Sequence, residues 1–204
     1  TKKSYLSNIL LNFSKGDIDI LVGTQMVSKG LDFPRVTLVG VISAETTLWL
    51  PDFRADERTF QLLTQVSGRA GRSMVEGEVI IQTYNEKHFV LQKVLENDYK
   101  GFYVKEKEDR KQMGYPPFTR IAIIETKDSV IDKAKGAAYD FYKEIIKYKN
   151  YLKISDPTTA QIFKLINNYR YHILIKSTKE KDPGGGILRK AILESWIEFN
   201  KTSR

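Results

Sequence analysis

The sequence predicts an α/β domain built on a parallel sheet, over residues 1–86, followed by a smaller α+β domain over 115–204, with a helical linker at 87–114. Three observations lead there. In the first part, short apolar runs alternate with segments of helical period, the pattern of a parallel sheet with crossover helices. Tyr115-Pro116-Pro117 then interrupts a charged helical stretch, because proline cannot continue a helix and disfavours helix in the residue before it. Beyond it the order of elements changes to strand, helix, strand, strand, helix.

In chain order, Asn8–Ser14 reads as the end of a helix with Ile9, Leu10 and Phe13 on one side, and Gly16 stops it. Ile18–Val22 and Val36–Ile42 are apolar runs of strand length. Arg58–Ser67 places Phe60, Leu63 and Val66 on one helical face. Val79–Thr83 predicts a third strand. In parallel sheets ligands sit at the carboxyl ends of strands, so Gly23-Thr24-Gln25 falls where a binding loop belongs. In the second domain, Arg120–Thr126 predicts a strand. Ile131–Lys149 predicts a helix with Ala134, Ala138, Phe141, Ile145 and Tyr148 spaced along one face. Gln161–Ile166 and Tyr169–Lys176 flank Asn167-Asn168, a turn pair suited to a hairpin, and Ile187–Phe199 is the final helix. That order lacks only a last strand to make a ferredoxin-like unit.

Composition narrows the function classes. Apolar residues make up 41% of the chain, ordinary for a globular protein, and no run approaches the roughly 20 apolar residues that span a bilayer. No cysteine is present, which excludes disulfides and thiolate metal sites in this chain and fits a cytoplasmic protein without a membrane partner. His88 and His172 are isolated and suggest no metal site. Residues 1–87 balance ten Lys/Arg against ten Asp/Glu, whereas 88–204 carry 23 against 15, so the whole net charge of +8 lies there. That excess suggests an anionic partner; a lysine-rich solvated surface is the alternative.

Two motifs carry the sharpest chemistry. Gln65-Val66-Ser67-Gly68-Arg69-Ala70-Gly71-Arg72 holds two arginines three apart among small residues. Arginines so spaced can share one face of a helical turn, and their forked guanidiniums suit phosphate oxygens. Pairing with Glu76 or Glu78 is the alternative. Upstream, Gly23-Thr24-Gln25-Met26-Val27-Ser28-Lys29-Gly30-Leu31-Asp32-Phe33-Pro34 runs from an apolar segment into a polar turn. The hydroxyl of Thr24 and the amide of Gln25 suit a nucleic-acid backbone, and Lys29 suits a phosphate. Turn hydrogen bonding is the alternative for the first two.

These runs resemble motifs VI and V of superfamily-two helicases. The wording of the second, together with Pro51-Asp52-Phe53-Arg54-Ala55-Asp56-Glu57-Arg58 and Tyr115-Pro116-Pro117-Phe118, resembles the narrower PriA family of replication-restart helicases, over residues 5 to 120 and more loosely beyond. The resemblance implies a second RecA-like motor lobe and a C-terminal domain of an ATP-dependent 3′–5′ DNA helicase acting at stalled or branched forks. It implies arginine fingers at Arg69 and Arg72, with Gln65 orienting water or a phosphate oxygen. Gly30 and Asp32 would lie beside ATP, although Asp32 can equally cap a turn. It also implies magnesium, forked and single-stranded DNA, single-stranded-DNA-binding protein and other primosome proteins as partners. Zinc is expected in the full-length family, on a cysteine-rich insertion that this chain lacks. No Gly-x-x-x-x-Gly-Lys-Ser/Thr loop and no Asp-Glu magnesium motif occur here either, so the main ATP ligands are expected in a first lobe and the segment alone is expected to be inactive.

For DNA contact, Arg54 is one candidate; it can instead couple the two motifs through salt bridges. Lys143, Lys147 and Lys149 interleave with Tyr148 and Tyr151, and Tyr169-Arg170-Tyr171-His172 does the same on a strand. Aromatics stack on unpaired bases while cations hold phosphates; core tyrosines beside solvated lysines are the other reading. If the basic surface meets a protein instead, Arg189 and Lys190 on the last helix are candidates for the acidic tail of single-stranded-DNA-binding protein. A stand-alone nucleic-acid-binding module on a motor-like scaffold, or another superfamily-two fork translocase, are the competing functions.

Overall fold

The computed structural model describes residues 2–24, 33, 35–68 and 77–202. The chain divides into two compact units, Thr1–Glu106 and Lys107–Arg204.

In the first unit, helix α1 (Lys2–Lys15) stops at Gly16, whose φ is +88°. Gly16 N–H donates to Phe13 O (3.1 Å) and Asp17 N–H to Asn12 O (3.0 Å). Those two bonds satisfy carbonyls at the helix end and require a left-handed residue between them, which glycine supplies without strain. The apolar run Ile18–Val22 was expected as a strand. It has no ladder partner among the described residues, and Ile20 and Val22 are exposed. An apolar run becomes a strand only where a neighbouring edge receives its N–H and C=O groups. Among the described residues, the ladder joins two strands, β1 (Leu38–Val41) and β2 (Glu78–Ile81), parallel and in register from Leu38 opposite Glu78 to Val41 opposite Ile81.

After β1 comes a one-turn helix, α2 (Glu45–Leu48), and then α3 (Ala55–Ser67). The latter starts a turn earlier than the apolar spacing alone predicts. Asp56 and Glu57 in its first turn favour that start by complementing the helix dipole. Phe60, Leu63 and Val66 are buried, as their spacing requires. The stretch 87–114, expected as a linker, forms α4 (Phe89–Leu95) and α5 (Tyr99–Met113). Val90, Leu91, Val94 and Phe102 join Ala44, Phe60 and Leu63 in one core, with the Phe102 ring stacked on Phe60 at 4.2 Å. Burying side chains of this size stabilises by about 1.5–3 kcal/mol each, so these helices complete the first unit. The division between units falls inside α5.

The second unit has an antiparallel sheet of β3 (Thr119–Asp128), β4 (Lys153–Ile154), β5 (Thr158–Leu165) and β6 (Asn168–Thr178). Strand β6 pairs with β3 along ten residue pairs, from Thr119 opposite Thr178 to Asp128 opposite Tyr169. It also pairs with β4 near its end and with β5 near its start. The β5–β6 turn places Ile166 (φ 47°) and Asn167 (φ 61°) at its centre, one residue earlier than the Asn167-Asn168 pair suggested. Two consecutive positive φ values match the right-handed twist of the flanking strands. Helix α6 (Ile131–Ile145) ends in a 3₁₀ turn at Ile146–Tyr148, and α7 (Gly186–Thr202) closes the chain. Phe141, Ile145, Leu152, Ile173, Ile175, Leu188 and Ala191 form the core.

A buried carboxylate joins sheet to helix. Asp182 accepts from Ile187 N–H (3.2 Å), Leu188 N–H (3.1 Å) and the Ser177 hydroxyl (3.0 Å). Burial works to raise its pKa, but these donors together hold it below the ordinary carboxylate value. It satisfies N–H groups that the first turn of α7 leaves open. Asp182→Ala should therefore lower the melting midpoint of this unit by roughly 4–8 °C, and calorimetry of the whole chain reads it.

Candidate nucleotide and nucleic-acid interface

The carboxyl ends of β1 and β2 lie side by side. Gln82 N–H donates to Val41 O (2.8 Å) and Ala44 N–H to Gln82 O (3.3 Å). Just beyond, Glu45 is 3% exposed. Its Oε1 accepts from the Thr83 hydroxyl and from Tyr84 N–H (2.8 Å), while Oε2 has no partner among the described residues. The Thr83 hydroxyl does most to lower the Glu45 pKa, against the effect of burial. So a charged carboxylate clamps the loop after β2 to the helix after β1. Sequence reading missed it, because a lone Glu after a strand carries no spacing signal.

Of the residues expected at the nucleotide, Gln65 is exposed in the last turn of α3, on the side opposite Leu63 and Val66. Gly30, Asp32, Arg69 and Arg72 lie outside the described residues, as do Gln25 and Lys29. Thr24 is exposed and has no ladder partner among the described residues. Arg54 bonds Asp52 through two nitrogens, Nε to Oδ1 and Nη2 to Oδ2, both at 3.1 Å. Arg58 Nη1 reaches the same Oδ2 at 2.8 Å. The Arg54 hydrogen bond is the main reason the Asp52 pKa is lowered. The Arg54 guanidinium also sits 5.2 Å from the Phe53 ring centre.

In the second unit, Lys143 and Lys147 point to solvent and pair with Asp140 (2.8 Å) and Glu144 one turn earlier. Exposed pairs of this kind are worth about 0–1 kcal/mol, so a phosphate can replace the carboxylate at little cost. Lys149 is exposed beyond the 3₁₀ turn. Arg189 donates to Gly184 O (2.8 Å), and Lys190 lies 3.8 Å from Glu194.

Strand β6 separates its neighbours by face. Tyr171 is 8% exposed and packs with Ala134 and Ala138, its ring edge-on to Phe163. Stacking of a base on Tyr171, expected from the Tyr-Arg-Tyr-His run, is therefore corrected. Residues two apart share a face, and this one points into the core. Tyr169 is half-buried against Phe163 at 5.3 Å, with Lys164 Nζ 4.8 Å from its ring centre. Arg170 and His172 face the other way and converge on Glu125 of β3. Arg170 Nε lies 2.9 Å and His172 Nε2 lies 2.8 Å from Glu125 Oε2. Arg170 is thus engaged inside the sheet. Among the described residues no group of three His, Cys, Asp or Glu side chains is placed to hold a metal, and no helix is long and apolar enough to cross a membrane.

A parallel strand pair flanked by helices, followed by a separate antiparallel unit, matches two domain models. Residues 1–74 match the helicase conserved C-terminal domain, and residues 111–202 match the primosomal protein N C-terminal domain. Curated relatives carry both parts. The chain is 42% identical to the replication restart protein PriA of Bacillus subtilis, over 96% of this chain and 24% of that protein. It is 39% identical to the PriA of Synechocystis (82% of this chain, 20% of that protein) and 36% identical to that of Thermotoga maritima (86% and 23%). The chain belongs to the PriA family. It spans about a fifth to a quarter of the length of these relatives.

The Glu125 cluster gives a pH signature. The Arg170 hydrogen bond first, and His172 after it, hold the Glu125 pKa below its ordinary value of 4.5. A carboxylate with a depressed folded pKa stabilises above its unfolded pKa, and that stability is lost as pH falls through the folded pKa. Glu125→Gln should therefore melt below the parent at pH 7. The gap should close as pH drops below 4.5, in thermal melts followed by circular dichroism.

Proposed function

We propose that this chain is the second motor lobe and C-terminal domain of an ATP-dependent 3′–5′ DNA helicase, which restarts replication in the cytoplasm at stalled or branched forks. The observation that supports this most is the joint match of a helicase C-terminal domain and a primosomal C-terminal domain in one chain. The second unit, with its β3–β6–β4 order, is read as a ferredoxin-like unit in which a last strand would pair with the edge of β3 that no strand covers among the described residues. The partners in this reading are single-stranded and forked DNA, single-stranded-DNA-binding protein and other primosome proteins. Arg189 and Lys190 are candidates for the protein contact.

ATP and magnesium are the cofactors of the reading, with their main ligands on another lobe. Bound there, ATP supplies the phosphoryl group whose hydrolysis drives movement. Gln65 is exposed in the last turn of α3, which ends at Ser67, two residues before Arg69 in the sequence. The guanidiniums of Arg69 and Arg72 would bind the nucleotide's phosphate oxygens, with Gly30 and Asp32 beside it. Without a phosphate loop the 204-residue chain should not turn over ATP, even with DNA present. In the full-length protein Arg72→Ala should cut turnover by about 10²–10³ with the fold intact. Turnover within about threefold of the parent would remove the finger assignment.

DNA contact is assigned to Thr24, Gln25, Lys29 and Arg54 in the first unit and to Lys143, Lys147, Lys149 and Tyr169 in the second. Arg170 stays a candidate beside Tyr169, with its guanidinium engaged by Glu125. Replacing Lys143, Lys147 and Lys149 together by alanine should flatten the dependence of log affinity on log salt by about one unit per lost phosphate contact. An unchanged slope in anisotropy titrations would place the basic surface against a protein.

A further inference from the structure

We infer that the sheet face of the second unit turned away from α6 and α7 binds the backbone of single-stranded DNA, through Lys127, Lys153 and Lys176; this rests on the nucleic-acid-binding reading and gives it a surface apart from the lysines of α6. Neighbouring residues of a strand point to opposite faces. The two helices pack on the face formed by Ala122, Ile124, Tyr171, Ile173 and Ile175. The other face carries Lys127 and Arg170 at one end, Lys153 and Lys176 at the other, and Ile123 paired with Leu174 between them. The ends lie about 20 Å apart along β6, and Ile123 is 56% exposed.

Two ladder positions on this face set like charges directly opposite each other: Lys153 opposite Lys176, and Lys127 opposite Arg170. Such pairs cost stability unless an anion lies between them. The carboxylate that the strands place on this face is Glu125, and Arg170 and His172 already engage it. Among the described residues Lys127, Lys153 and Lys176 make no ion pair. Lys127 and Lys153 are exposed. Lys176 is half-buried; its Nζ donates to Met113 O (3.1 Å) and lies 3.7 Å from the Tyr115 ring centre. Burial first, and Lys153 after it, lower its pKa, so this ammonium is held in place without a counter-charge. The charge is local. The chain's excess of cations lies beyond residue 87, where these three stand, whereas Lys143 and Lys147 of α6 already pair with Asp140 and Glu144. The occupant is a single DNA strand because its phosphates bridge each like-charged pair, turning repulsion into charge-assisted hydrogen bonds, while its sugars and bases cover Ile123 and Leu174. A duplex keeps its bases stacked inside, out of reach of that middle. The three lysines are far apart in sequence, and the register of β6 alone brings them onto one face.

The test uses the 204-residue chain and labelled oligothymidylate. Anisotropy titrations over a range of salt give affinity and slope, and amine acetylation read by mass spectrometry, with and without DNA, gives a footprint. Lys127→Gln and Lys153→Gln each remove one exposed charge. Each should flatten the slope of log affinity against log salt by about 0.7 and weaken binding by roughly 5- to 10-fold at about 50 mM salt. The double variant should show both losses, and Lys153→Arg, which keeps the charge, should keep the slope. In the parent, DNA should slow acetylation of Lys127 and Lys153 more than that of Lys135, exposed on α6. An unchanged slope in the double variant, or acetylation of Lys127 and Lys153 slowed no more than that of Lys135, overturns this face and leaves DNA binding standing. A duplex of equal length that binds more tightly and protects the same lysines overturns the single-strand assignment. No salt-dependent binding of the parent chain to any DNA overturns the nucleic-acid reading and this face with it. If the double variant fails to fold, the footprint on the parent chain decides alone.

Discussion

Strand β6 must bond neighbours on both edges while presenting opposite chemistry on its two faces, and the second unit is built around that constraint. One face, Tyr171, Ile173, Ile175 and Ser177, is buried. The intervening residues Arg170, His172 and Lys176 carry polar groups out the other side. A slip of one residue would exchange the two sets and bury the charges. The register is held at one end by the tight turn at Ile166 and Asn167, and near that end by Arg170 and His172 meeting Glu125 across the ladder. Helices α6 and α7 then have a single apolar face on which to pack.

Carboxylates perform much of the fixing in both units. Asp182 ties the end of β6 to the start of α7, and Glu45 ties the segment after β1 to the loop after β2. Each is buried and each keeps a lowered pKa against the effect of burial, Glu45 chiefly through the Thr83 hydroxyl and Asp182 through the Leu188 and Ile187 N–H groups and the Ser177 hydroxyl. A hydrogen-bonded buried charge is tolerable, and removing its partners would strand it. Among the described residues the Oε2 of Glu45 has no partner.

Net charge describes the surface less well than local pairing does. The excess of cations lies beyond residue 87, but Lys143 and Lys147 face carboxylates on their own helix, and Arg170 is turned toward Glu125. A phosphate competes easily for the first two, whose pairs are exposed, and poorly for the third, which is partly shielded in the sheet. The tyrosines divide in the same way. Tyr171 stabilises the core, while Tyr84, in a segment whose composition is neutral, is among the most exposed aromatic rings described.

The sequence by itself determined the two-part architecture and the family. Helical spacing marked the buried face of α3 at Phe60, Leu63 and Val66. The proline pair marked the change of texture, and the Gly-Arg and Gly-Thr-Gln runs carried the helicase resemblance, since each is a local pattern of neighbouring residues. The tertiary structure decided what depends on partners distant in sequence. Ile18–Val22 looked like a strand but has no ladder partner among the described residues, and the stretch 87–114 looked like a linker but supplies Val90 and Phe102 to a core. Tyr171 looked like a stacking residue but faces inward, while Glu45, Thr83 and Tyr84 carried no pattern until the parallel ladder set the ends of β1 and β2 together. Periodicity and motif wording are written in adjacent residues; pairing, burial and the meeting of loops exist only once the chain has closed on itself.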